Sequence, residues 1–409
     1  MLNRRVTYKL YPNSEQYKQM QNIRYLHQQY YNAALEQRIT AYNKCGVSLN
    51  FYDQCKEHKE VRELEEYAGL NSQSCQVTLK RVHLAMQAFF RRCKAGETPG
   101  FPRFKSFSRY PGWGYKTHGD GWRLFIEEKN CYLRLTGMGY VRMRGKARTQ
   151  GKPKTLDILY KQGKWYASVV FECSPEREQI PITGAIGLDW GVETFATLAH
   201  DSGDYTAIHN ERHLRSELTK LKQLQCDLSR KKRGSRNWQK AKKKIAALHS
   251  KIARKRHEFL HQNSAKFAKE NSLIAVEKLN IKGMTASGGR YKKGLNREVL
   301  STAPATFHKM LKYLCPPGCK AEETGTRYIE VPTRKVKPSQ TCNGCGKQQK
   351  KALHERKHEC PCGARLSRDE NAARVILNWA LDNVKGREPA LCGGGTLALP
   401  AKHETLAIA

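Results

Sequence analysis

Residues 185–191 read AIGLDWG, an apolar run closed by one acid and followed by a tryptophan and a glycine. A short apolar run of this kind predicts a buried strand, and Asp189 at its end stands where a sheet meets solvent, positioned to hold a cation. Glu277 repeats the arrangement in LIAVEKLN (273–280), with four apolar residues and then one acid. A third acid, Asp369, opens SRDENAARVILNWA (367–380), whose Ala372, Ala373, Ile376 and Leu377 recur at helical spacing and would pack on a sheet. Any one of these acids alone is more often a turn or cap residue. Three of them, on strand, strand and helix, point to one shared site.

Carboxylates brought together repel one another and stay ionised only around a cation. Mg²⁺ suits them, because it takes oxygen ligands and keeps waters that a nucleophile or a phosphate can replace. Two such ions about 4 Å apart activate an attacking water and stabilise the leaving oxygen of a phosphodiester, which is nuclease chemistry. Glu193, Asp201 and Glu370 are read as turn residues or solvated neighbours.

Just ahead of Asp369 lie two cysteine pairs: Cys342 and Cys345 in TCNGCG (341–346), and Cys360 and Cys362 in HECPCG (358–363). Four thiolates suit tetrahedral Zn²⁺, and a closed set of four is structural rather than catalytic. His354 and His358 lie close enough in sequence to replace one thiol. Cys315 and Cys319, in CPPGC (315–319), have no second pair nearby and are read as structural, and most of the remaining cysteines as small buried residues. No cysteine has a histidine neighbour arranged for nucleophilic catalysis.

The chain of 409 residues is long enough for two or three folded units. VTYKLY, closed by Pro12, reads as a strand. The following residues, with Asn13 or Ser14 as N-cap, read as a helix, and 70–94 as another. Residues 96–121 mix Gly, Pro, aromatic and basic residues without period. Several strands follow between Trp122 and Cys173, spaced for a small barrel or sandwich. A linker then leads to a second domain near Gly184. Residues 211–270 read as a basic helical hairpin bending at Gly234 and Ser235, ASGGRYKKGLN (286–296) as a mobile loop, 301–314 as a helix and TRYIEVPT as a strand. The tail after Lys385 reads as disordered.

Lys and Arg number 74 against 37 acids, a formal charge of +37 spread along the length, which is the electrostatic footprint of a polyanion-binding protein. No run approaches eighteen apolar residues, and MLNRRVTYKLYP lacks the core of a secretory signal. The expectation is a soluble, cytoplasmic, nucleoid-associated bacterial protein with no membrane partner.

Together these residues resemble the TnpB family of transposon-encoded proteins, relatives of the type V CRISPR effectors. YKLYPNSEQ matches the family's opening strand and helix, GFPRFKS (100–106) its central signature, and GLDWG, VEKLN and RDENAA its three RuvC motifs in order. Two departures are visible: the second cysteine pair is CxC, and Ser367 stands where relatives often carry another aspartate. The resemblance implies an α+β multidomain fold. A wedge β-barrel would span 1–12 and 96–180, with a helical recognition insertion at 13–95. An RNase H-like RuvC nuclease domain would span 184–337 and 365–385, with a zinc-binding insertion at 338–364 and a tail at 386–409.

It further implies an RNA-guided DNA endonuclease that carries a guide RNA made from the transposon end and cuts double-stranded DNA beside a short adjacent motif. Asp189, Glu277 and Asp369 would hold two Mg²⁺, and Cys342, Cys345, Cys360 and Cys362 a structural Zn²⁺. An RNA-guided repressor without cleavage and a DNA transposase are the alternatives. The basic face between Arg230 and Arg256, with Trp238, would contact phosphates of the guide–target duplex. Gln76, with Ser72 one turn earlier, would read the adjacent motif. The aromatic loop around Tyr110, Trp113 and Tyr115 would contribute.

Overall fold

A computed structural model describes residues 2–126, 131–144, 151–173, 184–286, 288–314, 326–352 and 354–385. Cys315, Cys319, the linker up to residue 183 and the tail after Lys385 lie outside the described residues. The chain divides into two compact units, Met1–Glu176 and Arg177–Ala409.

In the first unit, strand β1 (Leu2–Tyr11) leads into helix α1 (Ser14–Cys45). Asn13 caps α1 by a reciprocal pair: its side chain accepts from the Gln16 N–H, and the Gln16 side chain accepts from the Asn13 N–H. Helix α2 (Phe51–Glu63), the short α3 (Glu65–Ala68) and α4 (Ser72–Lys94) follow. Sequence reading gave no separate α2, because its buried anchors are mostly polar. Gln54 donates to the Ala34 carbonyl at 2.8 Å and accepts from Arg38 at 2.8 Å, and His58 bonds the Tyr30 hydroxyl at 2.9 Å. Buried polar groups bonded to one another this way hold an element without an apolar stripe.

The remaining strands are β2 (Gly112–Tyr115), β3 (Trp122–Ile126), β4 (Cys131–Leu135), β5 (Gly139–Arg144), β6 (Lys152–Lys161) and β7 (Lys164–Cys173). With β1 they form an antiparallel sheet ordered β2-β6-β7-β1-β5-β4-β3. The sheet coils, since Trp113 on one edge strand and Trp122 on the other share one core with Trp165 and Phe171.

In the second unit, β8 (Ala185–Trp190), β9 (Thr194–His200) and β10 (Tyr205–His209) run antiparallel. Helices α5 (Leu218–Ser229) and α6 (Arg236–Glu270) form the hairpin, bent where Gly234 takes φ 88° and Ser235 caps α6. Strand β11 (Leu273–Glu277), α7 (Ile281–Met284), α8 (Arg290–Thr302), α9 (Pro304–Leu314), β12 (Arg327–Val331) and α10 (Thr333–Val336) come next. The hairpin β13 (Lys357–Glu359) and β14 (Arg365–Ser367) and the helix α11 (Arg368–Lys385) complete the described unit. The larger sheet is ordered β10-β9-β8-β11-β12, with β8, β11 and β12 mutually parallel.

Both faces of this sheet are covered, and the two-residue period of its strands decides which side chain goes where. Ile186, Leu188, Ile274 and Val276 pack toward α6, α8 and α9, beside Phe267, Val299 and Phe307. Ala185, Leu273 and Ala275 pack on the opposite face against Ala373, Ile376, Leu377 and Ala380 of α11.

Two expectations are corrected. From Arg290 the glycine-rich stretch is the helix α8, not a loop. Gly294 costs about 1 kcal/mol against Ala there, but buried Val299 anchors the helix in the core. Among the described cysteines outside the knuckle, Cys75 and Cys131 are buried, whereas Cys45, Cys93 and Cys226 are exposed.

Candidate active site and metal knuckle

Asp189 and Glu277 end neighbouring parallel strands. The register pairs Ala185 with Leu273 and Leu188 with Val276, so one further step sets Asp189 beside Glu277. By strand alternation both carboxylates share the face of Ala185, Gly187 and Ala275, the face that α11 covers.

Gly187 allows α11 to come this close. A Cβ there would collide with the Ala373 carbonyl and stand 2.7 Å from the Leu377 Cβ and N, so any side chain would push the helix off the sheet. Asp369 lies one turn before Ala373, and the close approach therefore brings the first turn of α11 to the ends of β8 and β11.

The electrostatics report the same convergence. Burial raises the Asp189 carboxyl well above the ordinary carboxylate range, and the charges of Glu277 and Asp369 push it further, against a weaker pull from Arg368. Burial also raises Glu277, opposed by a hydrogen bond from Thr333. An all-oxygen donor set that repels itself in this way fits a hard divalent cation such as Mg²⁺.

The four thiols are arranged differently. Their sulfurs all lie within 4.8 Å of one another, and among the described residues no other group of three or more His, Cys, Asp or Glu side chains meets that limit. Cys342 and Cys362 sulfurs are 3.6 Å apart, as are those of Cys345 and Cys360. These separations are far beyond a disulfide's roughly 2.05 Å. Ligands at about 2.3 Å around a tetrahedral zinc stand roughly 3.8 Å from one another, so the cage fits Zn²⁺.

Backbone turns aim the sulfurs. The Gly346 N–H donates to the Cys342 carbonyl at 3.0 Å, the Gly363 N–H donates to the Cys360 carbonyl at 2.9 Å, and both glycines hold positive φ. Against the opposing effect of burial, backbone N–H groups and His358 pull the Cys342 thiol down to about 6, favouring the thiolate. His358 is buried and bonds Lys351 through Nδ1, so it supports the cage from outside the ligand set. His354 is exposed and outside that set as well.

Knuckle and helix are joined by Asn371, which sequence reading passed over. It is fully buried in the first turn of α11. Its side-chain oxygen accepts from the Asn343 N–H at 3.0 Å, and its amide donates to the Thr341 carbonyl at 2.8 Å. The backbone flanking Cys342 is thereby tied to the helix that carries Asp369 two residues earlier. Ser367 and Glu370 cap that helix reciprocally: the Ser367 N–H donates to the Glu370 carboxylate at 2.9 Å, and the Glu370 N–H donates to the Ser367 hydroxyl at 3.2 Å. Ser367 and Glu370 thus have structural work. Asp201 does too, accepting from the Ala185 N–H at 3.0 Å, while exposed Glu193 faces Arg356 at 3.8 Å.

The other singled-out residues are dispersed. Trp238 is half-buried at the start of α6, with the Lys242 ammonium 5.1 Å from its ring centroid. The hairpin buries Leu221, Leu248 and Ile252, and no acid occurs between Arg230 and Arg256. Ser72 opens α4, and Gln76 accepts from Lys116 at 2.9 Å. Tyr115 is a core residue whose hydroxyl accepts from Trp113 at 3.1 Å, and Tyr110 and Trp113 are buried with it. All three rings are buried, so in this structure they pack the first unit.

Comparison with known proteins bears on the whole arrangement. A family model described as "Probable transposase" matches residues 168–288, and one described as "Cas12f1-like, TNB domain" matches residues 305–376. A protein of Escherichia coli (strain K12), provisionally named RNA-guided DNA endonuclease InsQ, is 30% identical over 333 residues, covering 78% of this chain and 77% of its own. A Streptomyces pristinaespiralis protein, also provisionally named an RNA-guided DNA endonuclease, is 28% identical over 404 residues, covering 96% of this chain and 92% of its own. The fold resembles the protein in a cryo-EM structure of the Cas12f1–sgRNA–target DNA complex, with TM-score 0.62 at 13% identity, over 90% of this chain and 83% of that one. The motifs, their order along the chain and these relatives place it in one group: the chain belongs to the TnpB family.

Proposed function

We propose that this protein is an Mg²⁺-dependent, RNA-guided DNA endonuclease that cuts both strands of a target duplex in one RuvC-type site. The observation that carries the reading is the convergence of three acids far apart in sequence: Asp189 and Glu277 pair on neighbouring strand ends, α11 packs on Gly187 beside them, and Asp189, raised first by burial, also feels the charges of Glu277 and Asp369. Bound Mg²⁺ would supply a water of lowered pKa and charge stabilisation of the leaving oxygen. Asp189 and Glu277 would hold the ions from the strand ends and Asp369 from the helix, while the sheet and α11 fix their spacing. The two relatives' names support the activity, and the Cas12f1-like fold supports RNA and DNA as partners.

In this reading the first unit is the wedge barrel with its helical recognition insertion, and the second is the nuclease domain with a zinc-stapled insertion. The guide derives from the transposon end. The basic α5–α6 hairpin and Trp238 hold the backbone of the guide–target duplex, and Gln76 with Ser72 reads the motif beside the target.

The test is to purify the protein with its RNA, sequence that RNA, and offer a plasmid carrying the matching site. Mg²⁺-dependent double-strand breaks at the matched site are expected. Binding without breakage would favour the repressor, joining of transposon ends the transposase, and absence of any defined RNA would overturn RNA guidance.

A further inference from the structure

Several aromatic side chains of the first unit are exposed, and three phenylalanines of one short stretch of the chain are among them. Phe90 at the end of α4 and Phe101 and Phe104 in the loop beyond it are 51%, 47% and 54% exposed, and Tyr25 on α1 is 45% exposed. The rings are organised: Phe101 stands edge-on to Phe89 at 5.1 Å, and Tyr25 edge-on to Phe107 at 5.8 Å.

The backbone beneath them is held firmly. The Lys105 carbonyl accepts from Gln28 at 2.6 Å and Asn32 at 3.0 Å, and its N–H donates to the Asn32 side chain at 2.8 Å. Arg92 donates to the Gly100 carbonyl at 2.9 Å, where Gly100 turns the chain at φ 57°. A loop pinned through its backbone while its phenyl rings face water is preorganised to bind flat apolar surfaces.

Charge selects the occupant. Between residues 91 and 109 there are six Lys or Arg and one acid, Glu97. A second copy docking symmetrically would set like charge against like, whereas unpaired bases on a phosphate chain satisfy rings and cations together. The amides of Gln28 and Asn32 bond Lys105, and the Gln28 oxygen accepts from Gln29 at 3.1 Å.

We propose that Phe101 and Phe104, with Phe90 and Tyr25 beside them, form a stacking platform for the unpaired strand of an opened DNA duplex. The proposal rests on the nucleic-acid reading above but not on cleavage. The test uses the full chain with its copurified RNA, without Mg²⁺, and follows anisotropy of labelled oligothymidine, a duplex of equal length and oligouridine.

The double substitution Phe101→Ala with Phe104→Ala is expected to weaken oligothymidine binding about twenty-five-fold or more, at roughly fivefold or more per ring. Duplex affinity should stay within about twofold. Replacement of both by Trp should keep binding, and an unchanged melting temperature would show that the fold is intact. Unaltered oligothymidine affinity, an equal loss on duplex, tighter binding of oligouridine through the same rings, or loss of a dimer with DNA binding intact would each overturn the platform. No guide match or cut is read, so failure here would leave the endonuclease proposal standing.

Discussion

The thiolate knuckle and the carboxylate cluster meet at the first turn of α11, and they are built in opposite ways. The knuckle draws its ligands from residues 342–362, locks them with glycine turns and closes them within 4.8 Å. The acids come from residues 189, 277 and 369, sit on a sheet and a helix, and stay more widely spread. A closed thiolate cage satisfies its ion and staples a short loop. An open set of oxygens leaves room for waters and a phosphate. Asn371 bridges the two, tying the backbone of the knuckle to the helix that would complete the proposed open site.

The sharpest way to break this contrast is to delete an acid. Asp189→Ala should lower cleavage by about 10³-fold or more, while zinc content and RNA binding stay unchanged. Plasmid cleavage measured beside metal analysis checks it. Loss of zinc in this variant would mean that the two sites are not separable.

Gly187→Ala acts through packing. Overfilling of this kind costs about 1–3 kcal/mol, and each kcal/mol lowers the melting temperature by roughly 2–4 °C in a unit of this size. Calorimetry should show that loss together with a weakened response to Mg²⁺, because α11 carries Asp369. The knuckle's zinc should remain.

Asn371→Leu tests the bridge itself. It strips partners from the Asn343 N–H and the Thr341 carbonyl, at about 1–3 kcal/mol for each group left unpaired. Hydrogen exchange should rise in the first turn of α11, and Mg²⁺ affinity should fall with zinc still bound. Unchanged exchange there would show that the knuckle does not position the helix.

The smallest effect is on pH. Asp189 and Glu277 have raised folded values, so the metal-free protein binds protons more tightly than its unfolded chain does. That stabilisation is complete below the ordinary carboxylate range and is lost as pH rises through the raised values. Melting temperature without divalent ions should therefore decline as pH rises across that window. Mg²⁺, or Asp189→Asn, should flatten the decline.

Much of this site was legible in the sequence because its signals are local. AIGLDWG and LIAVEKLN announce strands ending in acids, paired cysteines announce a cage, and Gly234 with Ser235 announces a bend. What stayed hidden depends on contacts across the chain. Asn371 looks like any polar residue in a helical first turn, and its partners lie 28 and 30 residues away. Gly187 reads as one more small residue until α11 is seen pressed against it. The α8 helix was masked by glycines whose cost buried Val299 offsets. Tyr115 looked available in a loop-like run, and only the coiled sheet shows that its ring is core.

The most direct test of the central claim, that three distant carboxylates make one dinuclear centre, is Mn²⁺ binding to the protein–RNA complex followed by electron paramagnetic resonance. Two mutually coupled ions per chain are expected in the native protein, with the coupling lost in Asp189→Asn, Glu277→Gln and Asp369→Asn. Mn²⁺ bound with equal affinity and coupling in all three acid variants would contradict the account.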